Sequence, residues 1–348
     1  KDNNNDAFVE KIKYLQSKGV DIENTTFLIN NMKYTIASYF SGIGSSKDFL
    51  ETIIKLCPNA INPRNITFEV DDVATILPLS SSIASGHMGS FHYLLDNDAD
   101  VDEININGWS PIHYAISKHH TSMLEKLLEK RCDINKQTKK EGLTALHLAL
   151  IDPTTTKILL NQDSINVNMK ESFGATPLTY SILSGHKDSI ILLLKHPKIK
   201  IDELDDSGYT ALMTVAFHGD LELFRKISAR NANWDIVDPR YHNNIAHIAT
   251  SIGQVDILKD IIKQRPDMWR SISISNDTPI SLAASSGKIE ILKLATEQGI
   301  DWMTPIGNSI SPISRAIDRN NINVLNLAIE EGKDWNKAPH EKGLTTVM

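Results

Sequence analysis

Apolar residues in this chain come in short blocks with helical spacing inside each block. Ile190, Leu193 and Leu194 fall on one face of a turn-and-a-half, as do Ile257, Leu258, Ile261 and Ile262. A second, shorter apolar block precedes each of these. It opens on Thr or Ser, often followed by Pro, and commonly stops at a Gly such as Gly86, Gly185, Gly219, Gly253 or Gly287. A hydroxyl residue caps a helix N-terminus, and Pro suits the first turn because its missing N–H would have no partner there. Gly accepts the positive φ that ends a helix. Polar turns carrying Asp and Gly, as at Asp205, Asp206 and Gly208, close each pair of blocks. The pattern predicts pairs of short helices joined by tight turns, with no β-sheet core.

The pairs recur at a nearly constant spacing. Copies of the first block start at Ile76, Ser110, Thr144, Thr176, Thr210, Asn244, Thr278 and Ser311, in steps of 34, 34, 32, 34, 34, 34 and 33 residues. A period of this size is the signature of a repeat architecture. Thr144 to Ala149 reads TALHLA, and the turns at Ala99 to Asp102 and Cys132 to Asn135 read ADVD and CDIN. These residues resemble the ankyrin repeat, whose pattern is T-P-L-H-x-A in the first helix and G-A-D-V-N before the hairpin. The fold implied is all-α: an ankyrin-repeat solenoid of helix-turn-helix units with short β-hairpin-like loops. Eight repeats are expected over 76–344. Residues 1–75 hold divergent ankyrin-like units, with Tyr14 to Glu23 as a second helix and hairpin root, and 345–348 open a further repeat. The chain begins with Lys rather than Met and has no polar closing repeat after Leu344, so a fragment of a longer protein is expected.

Such a stack buries each unit's apolar face against its neighbour and offers a broad, rigid groove. The resemblance therefore implies a scaffold that binds a protein partner, of unknown identity, on its concave face. In the family, the groove is lined by the variable positions of the first helix. The earlier variable position holds Tyr114, Leu148, Tyr180, Thr214, Ile248, Leu282 and Arg315. Leu148, Ile248 and Leu282 are discounted, because an aliphatic residue is usual there for packing. The later pair includes Ile151, Leu183, Phe217 with His218, and Ile252, apolar in consecutive units at places that should meet water. Two readings stand: a partner-contact stripe with Tyr114 and Tyr180 as aromatic anchors, or side chains that pack on one another. Trp109, beside Gly108 in a hairpin tip, is a further contact candidate, with Tyr241 as another tip residue. Trp234, Trp302 and Trp335 replace the Val of G-A-D-V-N, and Trp269 lies one place later. They form either a ladder for a partner or filler beneath the hairpins, and filler is the reading adopted.

Composition narrows the function. The net charge of -7 argues against a nucleic-acid partner, and no apolar run is long enough to insert in a membrane. Two cysteines in 348 residues cannot form a disulfide framework and point to a reducing compartment. Cytoplasmic localisation and a monomer are expected. No catalytic signature is present: the 41–47 turn lacks phosphate-loop spacing, and there is no H-E-x-x-H, C-x-x-C or G-x-S-x-G. No enzyme activity, cofactor or metal is expected. Cys132 takes the small-residue place of G-A-D-V-N. His113, His147 and His247 take the His place of T-P-L-H, where the family uses it to bond neighbouring turns. Asn135, Asn168 and Asn336 fall where a family Asn is open to hydroxylation, or simply caps the hairpin. Abundant Asn, Ile and Lys point to an AT-rich genome. With the repeats, that is similar to effectors which intracellular bacteria deliver into host cytoplasm. The alternatives are the targeting module of a larger enzyme and a eukaryotic cytoskeletal or membrane-protein adaptor.

Overall fold

A computed structural model describes residues 2–29, 32–43, 47–63 and 75–334. Trp335, Asn336, the interior of the 41–47 turn and the start of a further repeat at 345–348 lie outside these residues. The chain divides into two compact units. One comprises Lys1–Ser172 with His186–Pro197, the other Phe173–Gly185 with Lys198–Met348.

In the first unit, four first helices are followed by longer second helices. Ile36–Gly42 packs on Lys47–Leu56, Pro78–Ala84 on Met88–Asp96, Pro111–Ser117 on Thr121–Glu129, and Ala145–Ala149 on Pro153–Leu160. Successive first helices also pack on one another, and Pro153–Leu160 packs on the second helix Lys187–Lys195. The second unit holds the first helices Pro177–Leu183, Ala211–His218, Ile245–Ile252, Pro279–Ser285 and Pro312–Asp318. Each of the last four is followed by its second helix, Leu221–Ser228, Val255–Gln264, Ile289–Glu297 and Ile322–Glu330. The all-α, paired-helix architecture expected from the spacing is what the chain adopts.

The helix ends show why these sequences stop and start where they do. Thr176, Thr210, Thr278 and Ser311 accept a hydrogen bond from the backbone N–H three residues on, at 3.2–3.3 Å. Where His stands at that third position, its Nδ1 accepts from the cap residue's own N–H, as in Ser110–His113 at 3.1 Å and Thr144–His147 at 3.2 Å. Gly253 ends its helix at φ 95°, a left-handed conformation that L side chains rarely adopt. The single 32-residue step has a local cause. After Ala145–Ala149 no Gly turn intervenes, and Asp152 caps the next helix directly, accepting from the Thr154 and Thr155 N–H groups at 3.0 and 3.1 Å.

The core is built from the inward residues of both helix types. Ile112, Leu146, Leu178, Leu212, Ile280 and Ile313 from first helices, and Leu124, Leu159, Leu193 and Phe224 from second helices, are all but sealed from water. The hairpin roots add a polar seam. Within the first unit, Asn62 Oδ1 accepts from Asp100 N at 2.7 Å, Asp102 Oδ1 from Asp133 N at 2.8 Å, and Asn135 Oδ1 from Asn166 N at 2.8 Å. In the second unit, Asp202 Oδ1 accepts from Asn233 N at 3.0 Å. The D and N of the hairpin-root motif thus join one repeat's side chain to the next repeat's backbone.

One element was not anticipated. Strand Thr26–Ile29 pairs antiparallel with Met32–Thr35, which in turn pairs in parallel with the two-residue strand Thr75–Ile76. In a later repeat the equivalent hairpin is reduced to one bridge, between Gln137 and Thr144.

Candidate functional site

Of the expected contact residues, Ile151, Leu183, Phe217, His218 and Ile252 fall at the ends of first helices, Tyr114 and Tyr180 in the middle of them, and Trp109 just ahead of one. In the second unit, Pro177–Leu183 packs on Ala211–His218, which packs on Ile245–Ile252. Leu183, Phe217 and Ile252 close these three helices with relative exposures of 51%, 42% and 39%. His218 beside Phe217 is exposed as well, its ring centroid 5.6 Å from the phenyl. Phe217 also has Tyr209 at 6.4 Å, so its ring is steadied from one side while the other meets solvent. Tyr180 is half-buried, and Thr214 and Ile248 are buried. Leu183 and Phe217 take the first place of the later variable pair and Ile252 the second; the following two repeats carry Ser285 with Ser286 and Asp318 with Arg319 at these places, and the apolar run ends there.

In the first unit Ile151 is 66% exposed, just ahead of the Asp152 cap. Tyr114 is half-buried instead. Its hydroxyl accepts from Asn105 Nδ2 at 3.0 Å, and burial pushes its phenol up to about 12. Trp109 departs from the expectation of an aromatic on an exposed turn. It is half-buried, with ring centroids 5.4 Å from Tyr114 and 5.9 Å from His113. Asn105 Oδ1 accepts from the Trp109 N–H at 2.9 Å, which folds the hairpin tip back onto the helix it precedes. Trp109 and Tyr114 therefore present one edge of a shared aromatic cluster.

The other singled-out residues have structural surroundings. Trp302 and Trp269 are buried, and Trp234 is half-buried against Phe224 at 5.7 Å. This is the filler arrangement. Trp302 Nε1–H donates to Thr296 Oγ1 at 3.0 Å. Cys57 and Cys132 are buried, and burial pushes their thiols up to about 11 and about 12, away from the thiolate that nucleophilic chemistry needs. His247 Nε2 lies 3.1 Å from the Asp277 carbonyl oxygen in the next hairpin. Asn135 Nδ2–H donates to the Ser164 carbonyl at 2.8 Å, so both ends of its amide serve the seam. Among the described residues no helix is long and apolar enough to cross a membrane.

Sequence reasoning missed two exposed apolar side chains at hairpin tips of the second unit, Phe173 and Ile274; Tyr241, named beforehand, is exposed there too. An apolar residue flanked by Ser and Gly in a predicted turn, as in Ser172-Phe173-Gly174, was the available signal. The tips are tied together by backbone: Asp206 N–H donates to the Phe173 carbonyl at 3.1 Å, and Ile274 N–H to that of Tyr241 at 3.0 Å.

Comparison with known proteins agrees with this geometry. The family described as "Ankyrin repeats (3 copies)" matches at 35–138, 79–170, 124–205 and 152–238, which together span more than half of the chain. Among similar proteins are "Ankyrin repeat protein nuc-2" of Neurospora crassa, 25% identical over 62% of this chain and 19% of its own length, and "Rabankyrin-5" of Mus musculus, 23% identical over 52% and 17%. "E3 ubiquitin-protein ligase XBAT33" of Arabidopsis thaliana is 27% identical over 47% of this chain and 31% of its own length. The chain thus spans less than a third of each of these relatives. Its repeat period, its capped helix pairs and the family match lead to one assignment: this chain belongs to the ankyrin-repeat family.

Proposed function

We infer that this chain is a non-enzymatic module that binds a partner protein through the ends of its first helices. Ankyrin repeats are generally protein-interaction modules, and the observation that carries the reading here is the row Leu183, Phe217 and Ile252. Three consecutive helices that pack together each carry a large apolar side chain open to solvent in their last turn, where burial by a partner is worth roughly 25 cal/mol per Å². His218 supplies a polar rim beside Phe217, and half-buried Tyr180 lies on the same helix as Leu183. In the first unit Ile151, Tyr114 and the edge of Trp109 are the corresponding contacts. Within each unit these residues are proposed to lie on the side that the family uses for recognition, its concave face. The division into divergent units over 1–75, eight repeats over 76–344 and a further repeat opening at 345 is part of the same proposal. So are a monomeric state, a cytoplasmic location, the absence of nucleic-acid partners and a role as a delivered bacterial effector.

The test separates contact from packing. Replacing Leu183 and Phe217 together with Ser should weaken binding to a partner recovered by proximity labelling by about 2 kcal/mol or more. The melting temperature should stay nearly constant, because exposed side chains add little to folding. A large loss of stability with unchanged affinity in the folded fraction would reassign the row to packing.

A second reading has its own support. One relative is by name a ubiquitin ligase, and another, 33% identical over 33% of this chain, is "Tyrosine-protein kinase Shark" of Drosophila melanogaster. This chain covers 31% and 12% of their lengths, as it would if it were the targeting module of a larger enzyme.

A further inference from the structure

The first helix Pro78–Ala84 lacks what opens the other first helices. Ahead of those stands a Thr, Ser or Asn whose side chain serves the first turn, as Thr35 accepts from the Ser38 N–H at 3.2 Å and Thr176 from the Thr179 N–H at 3.3 Å. Leu77 holds that place here and offers no cap. The third position is Ser80 rather than His, so that cap is missing too. The buried Ser80 N–H, equivalent to those of Ser38 and Thr179, donates instead to Glu103 Oε1 at 2.7 Å. Glu103 lies 23 residues further on, in the hairpin between Met88–Asp96 and Pro111–Ser117. A neighbouring hairpin thus supplies the cap that the helix's own sequence lacks.

This side chain ties two elements together. Glu103 is only 6% exposed, and its Oε2 is buried without a hydrogen-bond partner among the described residues. Two residues on, Asn105 Oδ1 accepts from the Trp109 N–H at 2.9 Å and Asn105 Nδ2 donates to the Tyr114 hydroxyl at 3.0 Å. The hairpin that Glu103 anchors is therefore the one that places Trp109 against Tyr114. A neutral carboxyl suits such a site. A carboxylate would bring a full charge away from water, and one backbone N–H with the partial charge of a helix start offsets only part of that cost.

We propose that Glu103 is a proton-operated latch, closed when its carboxyl is neutral, that holds the hairpin of Trp109 and Asn105 onto Pro78–Ala84. Its surroundings favour the neutral form. Pro78–Ala84 has no ionisable side chain, and Ile36–Gly42, packed on it, has only Tyr39. Met88–Asp96 brings Tyr93 and the exposed His92 and Asp96, and Pro111–Ser117 brings His113 and Tyr114. Asp100 in the same hairpin repels a charge on Glu103, as does Tyr114 when ionised. Lys136 of the next hairpin is engaged by the Asp102 carbonyl at 2.7 Å. Burial pushes the Glu103 carboxyl up to about 8. An opened hairpin restores the ordinary value, so opening becomes easier as pH rises from 4.5 and levels off near 8. That this opening would loosen a partner rests on the contact reading of Tyr114 and Trp109 given above. The latch itself does not, and its test needs no partner.

Hydrogen exchange on the whole chain at pH 5.5 and pH 8, corrected for the pH dependence of exchange itself, tests the proposal. Protection in 78–84 and 100–110 should fall at least tenfold between these values in wild type. Glu103→Gln keeps an acceptor for the Ser80 N–H and cannot ionise, so its protection there should stay level. Carbon-13 NMR of the glutamate carboxyls, needing no variant, should show Glu103 titrating near 8 in the folded chain. Three results would overturn the proposal: protection in wild type that does not fall, a fall as large in Glu103→Gln, or a Glu103 carboxyl that titrates in the ordinary carboxylate range.

Discussion

Glu103 and His113 hold opposite preferences for a proton, and both sit in the first unit. Ser80 N–H donates to Glu103 Oε1 at 2.7 Å, while Oε2 is buried with no hydrogen-bond partner among the described residues. Burial, the largest cause, pushes this carboxyl from 4.5 up to about 8. The unfolded chain therefore loses the proton first as pH rises, and the stability tied to Glu103 is full below 4.5 and lost by about 8. His113 is sealed from water, and burial lowers it from 6.5 to about 4. Here the unfolded chain takes the proton first as pH falls, so the stability is full above 6.5 and lost toward 4. Urea titrations should show Glu103→Gln flattening the alkaline limb and adding about 2 kcal/mol at pH 8. His113→Gln should flatten the acid limb between 6.5 and 4, at some cost at neutral pH. An alkaline limb that is as steep in Glu103→Gln as in wild type would assign it to other groups. The His position was legible from T-P-L-H. Glu103 was not, because the sequence marks it as one more acidic residue in a polar turn, and only the backbone of Ser80 makes it a buried acceptor.

Among elements, the first helices bear most of the packing, and Ala145–Ala149 is the shortest of them. Leu146 is fully buried there, in a helix that packs on the neighbouring first helix Pro111–Ser117. Leu146→Ala should cost roughly 2–5 kcal/mol. Because repeats are stabilised through their neighbours, hydrogen exchange should speed up in Pro111–Ser117 and Lys187–Lys195 as well as in the mutated repeat. Change confined to 144–175 would contradict that coupling. Helix starts and stops were readable, since Thr, Ser, Pro and Gly act on the backbone within three residues of themselves. The three-stranded sheet was not readable. Its partners, Met32–Thr35 and Thr75–Ile76, lie some forty residues apart, and nothing periodic marks the shorter strand. The exposure of Leu183 and Phe217 followed from position in a repeat, whereas the partial burial of Trp109 came from the Asn105 turn that folds the tip onto Tyr114, a backbone geometry that the repeat pattern does not mark.

At the scale of the whole molecule, the polar seam at the hairpin roots has an evolutionary consequence. Each link joins an Asp or Asn oxygen to a backbone N–H 31 residues later in three cases, and 38 in the fourth. The acceptor side depends on residue type, while the donor side is backbone that any amino acid supplies. A gene duplication that adds one full period therefore carries its own acceptor and finds its own donor, and the links on either side close again without further mutation. A break within a period would instead strand an acceptor and bare an apolar helix face at once. Unequal recombination in register is thus the tolerated route by which such a chain changes length. Its lineage is expected to vary by whole periods, while the residues inside each drift as widely as the two or three amino acids of the seam permit.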